Sequence, residues 1–130
     1  MSETLYRQNL REVGMIGPVL RAHEKVDLRE PWVRPGGTTF HFVNDGIESA
    51  LRQARAVAGD RDIRIAGGAN VIQQYLRAGL VDEFSLAISP VMFGGGERLF
   101  AGIGRDVGVE HVETIASPRA THMRYAVHKP

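Results

Sequence analysis

The stretch Ile63-Arg64-Ile65-Ala66-Gly67-Gly68-Ala69-Asn70-Val71-Ile72-Gln73-Gln74-Tyr75-Leu76 decides how this chain is read. It opens as a strand, with Ile63 and Ile65 on one side of an alternation. It breaks at a glycine pair. It resumes as a helix, with Ile72, Leu76 and Leu80 at i, i+4 and i+8, and Val71 and Tyr75 beside them. Glycines at such a break permit backbone angles closed to other residues and let another molecule come close. The helix that follows starts with N–H groups lacking an internal acceptor and with the positive end of its dipole. Strand, Gly-Gly and helix together predict a seat for a phosphate, formed by Gly67, Gly68, Ala69, Asn70 and Val71. The bland reading is a tight turn that needs glycine whatever binds there. The pattern is neither Gly-x-Gly-x-x-Gly nor a P-loop, since no Lys-Ser/Thr follows.

Working outward, residues 38–43 (Thr-Thr-Phe-His-Phe-Val) are β-branched and aromatic and predict a strand. Asp45 and Glu48 suggest a capped helix start. Ile47, Ala50, Leu51, Ala54, Val57 and Ala58 supply a helical stripe, and Gly59 a stop. Gly79 closes the second helix. Residues 84–89 (Phe-Ser-Leu-Ala-Ile-Ser) form a small or apolar run up to Pro90, which predicts a central strand covered on both faces. A second glycine cluster, Gly94, Gly95 and Gly96, follows it. Its bland reading is a connector; its functional reading is a backbone approach to a flat ligand. Residues 109–115 and 121–127 predict a hairpin turning at Ser117-Pro118-Arg119-Ala120, with Met123, Tyr125 and Val127 on one face. Alternating strands and helices imply parallel strands with right-handed crossovers, so the expected fold is a three-layer α/β sheet, mostly parallel, with a C-terminal antiparallel hairpin. In such a sheet both glycine clusters follow the carboxyl ends of strands and should share one rim, where ligands of open sheets bind.

Residues 1–35 are poorly patterned. Leu5, Tyr6 and Leu10 suggest one helical face, and Val19-Leu20 a short strand. Pro31, Pro35, Gly36 and Gly37 mark residues 23–37 as loop. The readable domain is therefore 36–130.

Composition narrows the function classes. One domain suits 130 residues, and 43% hydrophobic with 24% charged residues is ordinary for a globular domain. A net charge of +1 gives no electrostatic case for nucleic acid or a membrane surface. No apolar run reaches the roughly 20 residues of a membrane span. The polar start at residues 1–10 does not resemble a signal peptide, and the absence of cysteine fits a cytoplasmic setting. No metal site is expected, because the histidines (23, 41, 111, 122 and 128) lack ligand spacing; His111 and His122 are at best neighbours across the hairpin. Asp82-Glu83 sits where a helix–strand connection is normally solvated. Arg21, Lys25, Arg29 and Arg34 form a loosely basic run, read as a solvated loop or as a clamp for a further phosphate. No nucleophile elbow and no acid–base pair stand out. A chain without such groups suits hydride transfer, where the cofactor carries the chemistry.

The run Ile-Arg-Ile-Ala-Gly-Gly-Ala-Asn, then Gly79-Leu-Val-Asp-Glu83, then Gly94-Gly-Gly-Glu-Arg-Leu-Phe100 resembles the C-terminal reductase domain of the bacterial riboflavin-biosynthesis deaminase/reductase. That family lies within the dihydrofolate-reductase-like superfamily, and the likeness covers about residues 36–127. The resemblance implies NADPH as hydride donor, with its phosphates at Gly67, Gly68, Ala69, Asn70 and Val71, and Gly94 and Gly95 on the nicotinamide side. It implies activity like that on a phosphoribosylamino-pyrimidine, while the departure at residue 66 argues for a different substrate; a homodimer is expected separately, because a missing central strand leaves unpaired sheet edges that favour association. Ala66 stands where the biosynthetic enzymes resembled here tend to carry a glutamate facing substrate. The absence of cysteine excludes the zinc deaminase half. The N-terminal strand, helix and Gly-Arg-x-Thr/Ser-type segment of the family are not evident, apart from a faint echo at residues 13–18. The alternative reading is a shortened, non-catalytic member that binds nucleotide or only dimerises; a phosphate-binding module unrelated to redox is a third. Neither a catalytic residue nor the substrate is identifiable.

Overall fold

The computed structural model describes residues 14–16, 32–34, 36, 38–66 and 68–129. Among these residues seven strands and two helices run β1 (Gly14–Ile16), β2 (Trp32–Arg34), β3 (Thr38–Phe40), α1 (Ile47–Ala58), β4 (Ile63–Ile65), α2 (Ala69–Arg77), β5 (Glu83–Ile88), β6 (Gly108–Ala116) and β7 (Thr121–His128). They fall into two compact units that divide between Gly68 and Ala69.

In the first unit β1 lies parallel to β4, with Gly14 opposite Ile63 and Ile16 opposite Ile65. Helix α1 packs on this pair, burying Leu51 and Ala58 together with Ser49, whose hydroxyl accepts from the Gln53 side chain at 3.3 Å. Val57 belongs by spacing to the same stripe yet is 66% exposed. The expected Asp45–Glu48 cap is not formed: the N-cap is Gly46, without a side-chain cap bond. Gly59 ends the helix as expected, at φ +61. Arg61 adds two hydrogen bonds to the last carbonyls, of Ala58 at 3.0 Å and Val57 at 3.1 Å. β2 and β3 form an antiparallel hairpin around Gly36 at φ +107. β2 lies within a stretch read as loop, because three residues between Pro31 and Pro35 are too short to show alternation. The strand expected over 38–43 stops at Phe40.

In the second unit the sheet order is β5-β7-β6, antiparallel throughout. The hairpin β6–β7 is where the spacing placed it. Ser117 closes its turn: the Ser117 N–H and Oγ both donate to the Ala120 carbonyl, each at 2.9 Å. Phe84, Leu86, Met123 and Tyr125 share one face by register. The Phe84 ring stacks on Tyr125 at 5.2 Å and meets Phe100 at 5.6 Å. On the other face Arg124 bridges Glu83 at 3.0 Å and Glu113 at 3.4 Å. Helix α2 buries Tyr75 and Leu76 and ends in a Schellman arrangement. There the Leu80 N–H donates to the Tyr75 carbonyl (3.0 Å) and the Gly79 N–H to that of Leu76 (3.1 Å), with Gly79 at φ +65.

Two expectations about the sheet are corrected. Among the described residues β1–β4 is the only parallel pair, so the mostly parallel sheet is replaced by a mixed α/β arrangement dominated by antiparallel pairs. Among the described residues β5 is not the central, doubly covered strand: it borders its sheet, β7 is central, and Ser85, Ala87 and Ile88 are exposed. The small residues of β5 reflect an exposed face, a pattern that composition does not distinguish from double burial. No helix among the described residues is long and apolar enough to cross a membrane.

Candidate functional site

The glycine turn keeps its predicted local form. β4 ends at Ile65, Gly68 stands at φ +78, and α2 begins at the next residue, Ala69. A positive φ of this size is strained for residues with a Cβ, so glycine at 68 is a backbone requirement. Gly67 lies outside the described residues. Ala69, Asn70 and Val71 are the first three residues of α2, whose N–H groups have no acceptor within the helix. Asn70 is exposed, and its Oδ1 accepts from Gln74 Nε2 at 2.6 Å. No acidic side chain stands in the first turn of the helix. A carboxylate there would repel a phosphate, so the residues present fit a phosphate-bearing cofactor. The predicted set is nevertheless divided between the two units: Gly67 and Gly68 close the first, while Ala69, Asn70 and Val71 open the second.

Gly94 and Gly96 have φ of +71 and +151, and a Cβ built at 94, 95 or 96 would meet nothing within 4 Å. The loop is thus glycine-rich for conformation and not for crowding. Val91, Met92 and Phe93 just before it are 56%, 103% and 87% exposed. The expectation that this loop shares one sheet rim with Gly68 assumed that β4 and β5 are strands of a single parallel sheet. Among the described residues β4 pairs with β1 and β5 with β7, and Gly68 closes the first unit while the loop lies in the second.

Residues after the loop are gripped by α2. Gln73 Nε2 donates to the Arg98 carbonyl at 2.8 Å. Arg77 donates to the carbonyls of Ala101 at 2.9 Å and Gly102 at 3.2 Å. The two side chains meet at 3.4 Å. The sequence reading passed over both, although their i, i+4 spacing on the polar side of α2 was visible.

Several of the remaining candidates have partners in the structure. Asp82 pairs with Lys129 at 2.6 Å and Glu83 with Arg124, so neither carboxylate serves the other. His111 bonds Thr114 Oγ1 at 2.7 Å and sits edge-on to Tyr125. It lies opposite Tyr125 and His122 opposite Ile115, so the two histidines are not cross-strand neighbours. No metal-binding group occurs among the described residues. His41 is exposed beyond the end of β3. Arg34 lies in β2, while Arg21, Lys25 and Arg29 fall outside the described residues, as do the expected elements at residues 5–10 and 19–20. Burial pushes the Tyr75 hydroxyl above its usual range.

The family model of the RibD C-terminal domain matches residues 21–123, and the chain belongs to that family. The match begins upstream of residue 36, and β1 beside β4 supplies an N-terminal strand that the sequence alone did not reveal. Among curated relatives, YyaP of Bacillus subtilis (strain 168), an uncharacterised protein, is 37% identical over 73 residues, or 56% of this chain and 38% of YyaP. YwjB of the same organism, also uncharacterised, is 26% identical over 84 residues, or 65% of this chain and 48% of YwjB. The chain thus spans less than half the length of either. A Shewanella sp. PV-4 protein, provisionally described as a riboflavin biosynthesis protein, has a similar fold: TM-score 0.65, 17% identity, 99% of this chain and 81% of that one. A pyrimidine reductase-like protein from Corynebacterium diphtheriae gives a TM-score of 0.53 at 24% identity, over 64% of this chain and 36% of that one.

Proposed function

We propose that this chain binds NADPH and acts as an NADPH-dependent reductase, on a substrate different from the riboflavin-pathway pyrimidine. Membership of the RibD C-terminal family carries the reading. It is supported by Gly68 at φ +78 directly before an α2 whose first turn is free of acidic groups. The amides of Gly68, Ala69, Asn70 and Val71, with Gly67, hold the phosphates; Gly94 and Gly95 border the nicotinamide. Bound NADPH supplies the hydride, so the chain's own task is binding and orientation. Ala66, exposed at the end of β4, offers no carboxylate to a substrate, which favours a substrate other than the pathway intermediate.

Titration of the purified protein with NADPH, followed by cofactor fluorescence and by melting temperature, tests this. Saturable binding at micromolar NADPH with a rise in melting temperature is expected. Gly68→Val, strained at this φ and bulky at the seat, weakens binding at least tenfold. Absence of any shift at millimolar NADPH, or full affinity in the valine variant, rules the reading out.

A second role, as a homodimer, is favoured by β6. This strand is hydrogen-bonded along one side only among the described residues, and all nine of its residues are exposed, including Val109, Val112 and Ile115. Unpaired strand edges associate. Sedimentation at micromolar concentration should give a dimer, and Ile115→Lys a monomer; a wild-type monomer at high concentration excludes this role.

A further inference from the structure

We propose that Gln73 and Arg77 are positioning residues that hold the glycine loop 94–96 in its cofactor-binding shape, an inference that rests on the NADPH reading above. Helix α2 begins at the phosphate seat, with Ala69, Asn70 and Val71 as its first residues. One turn further on, Gln73 donates to the Arg98 carbonyl at 2.8 Å. After one more turn, Arg77 donates to the Ala101 and Gly102 carbonyls at 2.9 and 3.2 Å. The downstream end of the glycine loop is therefore tied to the same rigid helix that presents the phosphate-facing amides, all within the second unit.

The loop needs such a tie. Residues 94–96 have nothing within 4 Å of a built Cβ, so no packing fixes them, and glycine carries the largest backbone freedom to be restrained. Downstream, the segment folds into two turns, in which the Ala101 N–H donates to the Arg98 carbonyl at 3.1 Å and the Ile103 N–H to that of Phe100 at 3.2 Å. These place the Phe100 ring against Phe84. Gly102 shows how close the grip is. It stands at φ +67, and a Cβ there would lie 2.9 Å from Arg77 Nη2. Three carbonyls over five residues, gathered by two side chains four residues apart, make a clamp. Because a guanidinium offers a fork of donors, Arg77 holds two carbonyls at once, which a lysine cannot reproduce.

Two variants of the full chain test the proposal. Gln73→Met keeps shape, neutrality and helix propensity but removes the donor; Arg77→Ala removes the fork. Trypsin cleavage after Arg98, whose carbonyl Gln73 engages, reports on the loop directly. The clamp predicts that both variants are cut severalfold faster there. It also predicts that both bind NADPH about five- to tenfold more weakly, the range expected for losing one or two hydrogen bonds, and that Arg77→Lys recovers part of the affinity. The melting temperature of Gln73→Met should stay at the wild-type value, which separates positioning from general stability. Faster cleavage with unchanged NADPH affinity would make the clamp purely structural and overturn the proposal, as would unchanged cleavage. If the wild-type protein binds no NADPH, the reductase reading fails and the cofactor role with it, while the protease comparison still decides whether the clamp holds the loop.

Discussion

Tyr75 is the one large side chain fully buried among the described residues. Replacing it with alanine should cost about 3–5 kcal/mol, the range for deleting a buried aromatic ring, measurable by urea denaturation. Its titration predicts an alkaline limb of stability. Burial raises the folded phenol above its usual value of 10.0, so the unfolded phenol ionises first. Its contribution is fully present below about pH 10 and declines as pH rises from there through the folded value. Tyr75→Phe should flatten that limb, and an unaltered alkaline profile would place its origin in other groups. Single residues were unevenly legible. Gly68 was readable because only glycine tolerates the required φ, and Tyr75 because it sits on a clear helical stripe. Val57 fits its stripe equally well and is exposed, since a stripe says which side a residue is on and not how far the neighbouring element extends. Asp45 fits a capping pattern, yet the helix starts one residue later than that pattern requires.

Both helices were placed nearly to their ends, because glycine stops and apolar spacing are local signals. Gly79 illustrates what such a stop does. It stands at φ +65 with open space around it, so Gly79→Ala meets no clash and pays only for the left-handed backbone. The expected loss is about 1 kcal/mol, read from the urea midpoint with an unchanged slope; a neutral result would mean that the turn relaxes. Strands were recognised more reliably than their partners. The pairing of β5 with β7 and of β4 with β1 joins segments about forty or fifty residues apart. Nothing in the alternation of Ile63-Arg64-Ile65 or Phe84-Ser85-Leu86 specifies the direction of a neighbour. The hairpin β6–β7 was legible because Ser117-Pro118 fixes its partner locally.

At the scale of the molecule, the glycine turn was legible as a local strand–turn–helix, whereas the order of strands in the sheets was not, because pairing joins segments distant in the chain. In the second unit, among the described residues, β7 is bonded on both sides, whereas β5 and β6 are each bonded on one. Hydrogen exchange followed residue by residue should therefore find the slowest amides of residues 69–130 in β7, with β6 showing fast amides along its free side. Uniform protection across β6 would signal an additional strand beside it.

The register of β6 against β7 slips between His111 and Glu113, leaving Val112 as an extra residue. A bulge resets the alternation of side chains, so residues 108–111 and 113–116 present different phases to any strand that approaches the side left unpaired among the described residues. A neighbour in register with one half is out of register with the other. Growth of a continuous cross-β stack along nine exposed residues is thereby frustrated, and an edge open to pairing is confined to short, finite contacts instead of fibres.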